Sequence, residues 1–159
     1  MTRYWIGVAS RDHVKAAETG GFCQFCHGRE ARVRKLSAGD GVVYYSPRER
    51  MGEGALIRAF TAIGRVRPGT ACHAEQSGCF HPWRRDIDYQ PTKEAPITPL
   101  LGQLSFSREN QNWGWLMRQG FFEITQADFD TIAIAMEYRF PSQQSINSQT
   151  NGAIPTEIG

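Results

Sequence analysis

Cysteine and lysine are both scarce in this 159-residue chain: four Cys and three Lys stand against fifteen Arg. Four thiols are few for the length, and in a reducing compartment they read as free thiols or ligands rather than a disulfide framework. No apolar run approaches the roughly 20 residues that cross a bilayer. The opening residues, Met1-Thr2-Arg3-Tyr4-Trp5-Ile6-Gly7, lack the apolar stretch of a secretory signal. A cytoplasmic protein with no membrane part is the expectation. A Gly-rich phosphate loop and the regular β-α-β-α alternation of a Rossmann fold are both missing. There is no internal repeat, no carboxylate pair marked by its context, and no nucleophile motif around a serine or cysteine.

What is present is an ordinary globular composition, with 40% hydrophobic and 21% charged residues. The length fits one domain able to bury a core of its own. A net charge of +2 hides an uneven distribution: residues 29 to 67 carry nine Arg or Lys against four acids, and residues 123 to 159 carry five acids against one Arg. One basic face is the footprint of an anionic partner, and guanidinium suits phosphates and stacked bases better than ammonium does. A GC-rich genome produces the same arginine bias.

Taken in order, residues 3 to 9 are aromatic and β-branched and predict a central strand. Ser10 and Asp12 open a short helix to about Glu18, which Gly20-Gly21 stops. Phe22 to His27 reads as irregular, and Arg29 to Leu36 as a helical turn with Val33 and Leu36 inward. Gly39-Asp40-Gly41 turns the chain into a strand at Val42 to Tyr45, which Ser46-Pro47 ends, with a charged loop from Arg48 to Ala55. Ile57 to Val66 and Trp83 to Tyr89 alternate as strands, the latter with Trp83, Arg85, Ile87 and Tyr89 on one face. Thr98-Pro99 begins a short helix over Leu100 to Leu104. Another helical turn covers Asn112 to Met117, and a last strand runs from Phe121 to Ile124. Thr125 and Asp128 resemble a capping box before a helix whose apolar face is Phe129, Ile132, Ala133 and Met136. Tyr4, Phe60, Phe122 and Phe129 are the expected core aromatics. Five or six strands with short helices predict an α+β domain around a curved or barrel-like sheet.

The densest chemistry lies between Gly20 and Pro47. Cys23-x-x-Cys26 with Cys72-His73 and Cys79-x-His81 can supply four thiolate or imidazole ligands to zinc. Cys23 or Cys26 with His27 or His81 can make a thiol–imidazole pair. A third reading is a pocket for a flat ligand: aromatics near segment ends (Trp5, Phe22, Phe25, Tyr44, Tyr45, Trp83, Trp113, Trp115) sit among amides, hydroxyls and arginines. That mixture holds an unstacked base. Gln24 can donate and accept at a base edge, while Arg29, Arg32, Arg34, Arg48 and Arg50 engage flanking phosphates.

Eight blocks also occur in a familiar order. They are Trp5-Ile6-Gly7-Val8-Ala9-Ser10, Gly21-Phe22-Cys23-Gln24-x-x-His27-Gly28, Gly39-Asp40 through Tyr44-Tyr45-Ser46-Pro47, Phe60-Thr61-Ala62-Ile63-Gly64, Pro82-Trp83-Arg84-Arg85, Leu104-Ser105-Phe106, Asn112-Trp113-Gly114 and Gly120-Phe121-Phe122-Glu123-Ile124. Together they resemble the EVE-domain family, stand-alone bacterial type, over residues 3 to about 138. The resemblance implies a PUA-like pseudo-barrel of five to six strands with short peripheral helices over residues 1–140, related to the YTH readers of methylated adenine. Residues 141–159, rich in Ser, Gln, Asn and Thr with little apolar content, are expected to form a polar, disordered tail. The resemblance implies no catalysis; no cofactor is expected, and a monomer rather than an obligate oligomer. The implied partner is DNA carrying methylated or hydroxymethylated cytosine, or modified RNA. The implied base pocket is Phe22, Cys23, Gln24, His27, Tyr45, Ser46, Pro47 and Trp83, with Arg29, Arg32, Arg34 and Arg48 on the backbone. The related readers place a tryptophan near the position of Phe22 or Cys23. Here Phe22 is the aromatic candidate, and a phenyl ring stacks over less area.

Overall fold

In the computed structural model, residues 1–24, 30–69, 72–73 and 83–138 are described. Four strands carry most of the sheet: β1 (Tyr4–Val8), β3 (Gly41–Arg50), β4 (Glu53–Val66) and β6 (Trp83–Tyr89). The short strands β2 (Phe22–Cys23), β5 (Cys72–His73), β7 (Ala95–Pro96) and β8 (Phe121–Ile124) extend it. Its helices are α1 (Arg11–Gly20), α2 (Glu30–Val33), α3 (Trp113–Arg118) and α4 (Gln126–Ala135), with a 3₁₀ turn at Thr98–Leu100. The order across the sheet is β2-β6-β4-β3-β1-β8, with β5 on β6 and β7 on β4. β1 runs parallel to β3, while the other pairs are antiparallel. The result is the expected α+β, PUA-like curled sheet.

Both faces of the sheet are covered, because side chains alternate along each strand. Tyr4, Ile6, Val43, Tyr45, Phe60 and Ile63 face one core, closed by Leu100, Leu104 and the Phe129, Ile132, Ala133 and Met136 stripe of α4. Trp5, Val42, Tyr44, Ala62, Val66 and Ile87 face a second core, closed by Val14 of α1, Cys23 of β2, and Val33 and Leu36 around α2. Phe60 and Ala62 lie two residues apart yet face opposite cores. Tyr44 pairs with Ala62 and Tyr45 with Phe60, so Thr61 is an extra residue that shifts the phase of the strand.

β3 and β4 depart furthest from expectation. β3 continues through Pro47 to Arg50, and β4 starts at Glu53, so the expected loop at 48 to 55 is a hairpin arm. Proline is tolerated because the register slips between Ser46–Ala59 and Arg48–Leu56, where Pro47 faces no ladder partner. A further slip follows before Arg50–Glu53, and each one adds a residue to β4. Arg58 and Gly54 occupy these added positions with φ of +48° and +82°. Such bulges strengthen the right-handed coil of the ribbon. Arg58 is a non-glycine residue in the left-handed region, and Ile97 N–H donates to its carbonyl at 3.0 Å.

Two smaller corrections concern caps. The 3₁₀ turn takes Ile97, not Thr98, as its N-cap. Thr125 Oγ1 does accept the Asp128 N–H at 3.1 Å. The Asp128 carboxylate, however, turns to Ser105, accepting from its N–H at 2.8 Å and its hydroxyl at 2.5 Å. That replaces the reciprocal half of the capping box with a tie to the segment after the 3₁₀ turn. At the other end of α4, Tyr138 N–H donates to Ala133 O and Glu137 N–H to Ile134 O, a Schellman pattern with Glu137 at φ +58°.

Asp40 is 1% exposed, and its carboxylate accepts from Arg3 N–H (3.0 Å), Trp5 Nε1–H (3.2 Å) and Ser37 N–H (3.0 Å). Asp40→Ala strands three donors and is expected to lower unfolding stability by about 3 kcal/mol in a denaturant titration. Glu137→Gly relieves the left-handed residue and is expected to raise stability by about 0.5–1 kcal/mol. A fall for the second variant would mean that the exposed Lys93–Glu137 pair, 2.9 Å, outweighs the backbone strain.

Candidate functional site

The segment after α1 is held by two tyrosines. Gly21 closes α1 with φ +73°, its N–H returning to Ala17 and Glu18 carbonyls, and so turns the chain into β2. β2 pairs with β6 through Phe22–Asp86 and Cys23–Arg85. Tyr89 of β6 donates its hydroxyl to Phe22 O at 2.8 Å. Tyr44 of β3 donates to Gln24 O at 3.0 Å and accepts from Gln24 N–H at 3.2 Å. Burial pushes both phenols well above their ordinary pKa, so each remains a hydroxyl able to donate. Gln24 therefore presents its side chain from a fixed backbone.

Gln24 extends the β2–β6 register by one step and meets Arg84. Arg84 Nε–H donates to Gln24 Oε1 at 2.9 Å. Arginine has no acceptor, so this bond determines which end of the amide is which. The carbonyl end faces Arg84 and the NH₂ end, with two donors, turns away. The Arg84 guanidinium also lies 3.8 Å from the centre of the Phe22 ring. Gly20 leaves room for that ring: a Cβ there would stand 2.5 Å from it. Phe22 is thus packed between Gly20 and Arg84 rather than offered as an open wall.

Strand alternation divides the residues that the sequence reading gathered into one pocket. Phe22, Gln24 and Arg84 share one face of the β2–β6 ribbon. Cys23, Arg85 and Ile87 take the other, and Trp83 packs against that second core with Arg34 of the α2 turn 5.3 Å from its ring. Tyr45 belongs to the first core, edge-on to Phe60; the tyrosine that meets Gln24 is Tyr44. Ser46 is fully buried, its hydroxyl 2.7 Å from that of Thr61. Pro47 and Arg48 lie at the base of the hairpin arm. His27, Arg29, Cys26, Cys79 and His81 lie outside the described residues, as does the tail.

Cys23 is 0% exposed, and desolvation pushes its thiol pKa far above the ordinary value despite the neighbouring Arg85. It packs as a small core residue and is neither pocket lining nor an activated nucleophile. Arg85 was legible only as an inward position. It is 5% exposed and donates to Leu36 O at 3.0 Å and Arg67 O at 2.9 Å, tying the α2 turn and the end of β4 to β6. Arg84 and Arg85 were missed as site residues, and Tyr44, named among the candidate pocket aromatics, holds the Gln24 backbone from within the second core. The period-2 pattern of Trp83 to Tyr89 marked which residues face inward, but no local signal said which strand they would meet.

A cavity of about 560 Å³ lies elsewhere, at the β8 end of the sheet order, lined by Arg3, Tyr4, Phe106, Glu123, Ile124 and Asp128 among others. It contains none of the predicted site residues.

The curled sheet with short helices is the PUA-like architecture. It superposes on the crystal structure of protein Atu2648 from Agrobacterium tumefaciens with a TM-score of 0.56 at 12% identity, covering 88% of this chain and 97% of that one. At that identity the likeness concerns the fold alone. The EVE domain model matches residues 3–135, and the chain belongs to the EVE domain family. It is 48% identical over 138 residues to the UPF0310 protein msl3206 of Mesorhizobium japonicum, covering 86% of this chain and 93% of that protein. It is 44% identical over 135 residues to the UPF0310 protein YdcG of Bacillus subtilis, covering 85% and 92%.

The Tyr44 clamp and the burial of Cys23 are each open to measurement. Cys23 is expected to resist a thiol reagent at pH 8 in the folded protein and to react at once in denaturant. Rapid labelling of Cys23 in the native protein would show that β2 opens. Tyr44→Phe removes the clamp on Gln24 and is expected to cost about 1–2 kcal/mol of stability, with faster amide exchange at Gln24.

Proposed function

We propose that this protein binds nucleic acid without catalysing a reaction, and that it recognises a modified base at the open end of the β2–β6 ribbon. The observation that carries the reading is the oriented amide of Gln24, held through its backbone by Tyr44 and through its carbonyl end by Arg84. With its carbonyl end engaged by Arg84, the amide has its NH₂ donors left for a base edge that carries acceptors, and cytosine offers N3 and O2. Trp83, the first residue of β6, lies on the opposite face of that ribbon from Gln24, so a base engaging both sits across the ribbon's end, edge to Gln24 and face to Trp83. Arg34 covers that ring at 5.3 Å. A flat base can take the guanidinium's place there while the arginine turns to a phosphate. Arg32 and Arg34 lie on α2 and the turn after it, which Arg85 fixes to β6 through Leu36 O. The rim is thus anchored against the base site.

The buried thiol of Cys23 argues against a thiol enzyme built on that residue. A zinc module built on Cys23, Cys26, Cys72 and Cys79 would need ligands outside the described residues, and no metal-holding cluster occurs among the described ones.

Binding of the full chain to oligonucleotides with and without 5-methylcytosine or 5-hydroxymethylcytosine tests the proposal. Gln24→Ala and Trp83→Ala are each expected to weaken binding to the modified strand about tenfold, as loss of an edge contact or a stacked face does. The unmodified strand should change much less. Equal losses on both would remove the base site. Arg34→Ala is expected to weaken all strands alike and to reduce the slope of log affinity against log salt by about one.

A further inference from the structure

The hairpin arm formed by the ends of β3 and β4 has no role in the base site, yet it carries the marks of a contact surface. Met51 at its tip is 63% exposed and Leu56 is 64% exposed. Exposed large apolar side chains are costly to keep on a two-stranded ribbon unless something covers them. Arg48, Arg50 and Arg58 are also exposed along the same arm. Leu56 is the cross-strand partner of Arg48, so those two share a face. Of the arm's two acids, Glu49 leans back to Arg11 of α1 at 3.6 Å; Asp12 of α1 faces Arg50, Arg58 bonds the Tyr45 hydroxyl, and Arg48 donates to Gly54 O at 3.3 Å, so the arginines still outnumber the acids along the arm. Two register slips coil this arm, and one of them holds Arg58 in a strained backbone conformation. Strain of this kind persists where a particular side-chain direction is worth keeping.

We propose that the arm enters a groove of duplex DNA beside the base that Gln24 reads. This rests on the base-reading proposal and adds the form of its partner. The two sites share β3: Tyr44 clamps Gln24, Arg48 follows roughly 13 Å further along the strand, and Met51 roughly 23 Å. A two-stranded ribbon fits the major groove of B-form DNA, about 12 Å wide, whereas the deep groove of an RNA duplex is too narrow. Arginines along the ribbon meet the phosphates on either side. Met51 and Leu56 supply the apolar wedge that a stack needs when one of its bases is drawn out, the usual role of Met and Leu against base steps. A single strand has neither a groove to enter nor a gap to fill, so the arm acts on duplex substrates alone.

The experiment measures binding of the full chain to three probes: a 20-base-pair DNA duplex with one 5-hydroxymethylcytosine, the same modified strand alone, and an RNA duplex of matched length. Arg48→Ala with Arg50→Ala, and separately Met51→Ser, are compared with wild type and with Gln24→Ala. All three arm positions are exposed, and a thermal melt confirms that the variants fold. The expected result is at least a tenfold loss on the DNA duplex for the double variant and about threefold for Met51→Ser. Less than a twofold change is expected on the single strand, together with weak binding of the RNA duplex by all forms. Equal losses on duplex and single strand, or no loss on the duplex, overturn the arm and leave the base site standing. Preferential loss on the RNA duplex overturns the choice of DNA. If wild type does not distinguish modified from unmodified strands but the arm variants still lose duplex affinity, base reading fails while groove contact survives. If wild type binds none of the probes, both fall.

Discussion

The Asp40 carboxylate is the point on which the remaining geometry depends. It is buried, and its three donors come from two places: Arg3 N–H and the Trp5 indole at the start of β1, and Ser37 N–H in the turn that follows α2. Its own backbone continues the network, accepting from Val66 N–H at 2.9 Å and donating to Ser37 O at 3.0 Å. A buried carboxylate is tolerated only when its oxygens are satisfied, and here that satisfaction ties the start of β1 to the turn before β3, while the backbone bond to Val66 adds the end of β4. The next residue is Gly41, where a Cβ would stand 2.7 Å from the rings of Phe129 and Tyr4. The Asp-Gly pair therefore does more than turn the chain. The acid sets the parallel start of β3 against β1, and the glycine lets α4 close over the sheet.

From that anchored start, β3 carries two consecutive tyrosines with opposite tasks. Tyr44 reaches through the second core to clamp Gln24, and Tyr45 packs into the first. The bulge at Thr61 keeps this division while allowing Phe60 and Ala62 to serve opposite faces. The same chain of support runs to the rim: Arg85, buried and bonded to Leu36 O and Arg67 O, joins the α2 turn to β6. Arg32 and Arg34 thus sit on a turn whose C-terminal end is held twice, by Arg85 at Leu36 O and by Asp40 at Ser37 N–H.

Much of the fold was legible because its signals are local. The glycine stop after α1, the alternation along Trp83 to Tyr89, the Phe129 to Met136 stripe and the inward Val33 and Leu36 each follow from spacing alone. The block order pointed to the EVE family, and the family match and fold agree with it. The hairpin arm was misread because Pro47 and the Gly-containing segment after it are loop signals. Only the paired register shows that a bulge absorbs the proline. Of the proposed site, the sequence singled out Gln24 and Phe22, gathered Tyr45 and Trp83 into the same pocket, and named Tyr44 only among the candidate aromatics; the structure puts Tyr45 in the first core, Trp83 against the second, and Tyr44 on the Gln24 backbone. These differences concern which side of a strand a residue takes relative to a partner far along the chain. A one-residue slip inverts that choice, and nothing in a single sequence announces the slip.

What the structure sharpens most is the chemistry open to Gln24. From composition an amide can donate or accept. Beside Arg84 its acceptor is engaged, which leaves the NH₂ donors as the end that can meet a ligand. On the proposed reading, a base whose edge presents acceptors is matched, whereas guanine, with N1–H and N2–H₂ on its Watson–Crick edge, sets donor against donor. In a site shielded from water such a mismatch leaves polar groups unpaired, which costs more than a matched pair contributes. Discrimination would then come as much from rejecting the wrong edge as from holding the right one. Arg84 thus links two roles: stacked on Phe22 it packs the end of the ribbon, and bonded to Gln24 it determines which base edges that amide can accept.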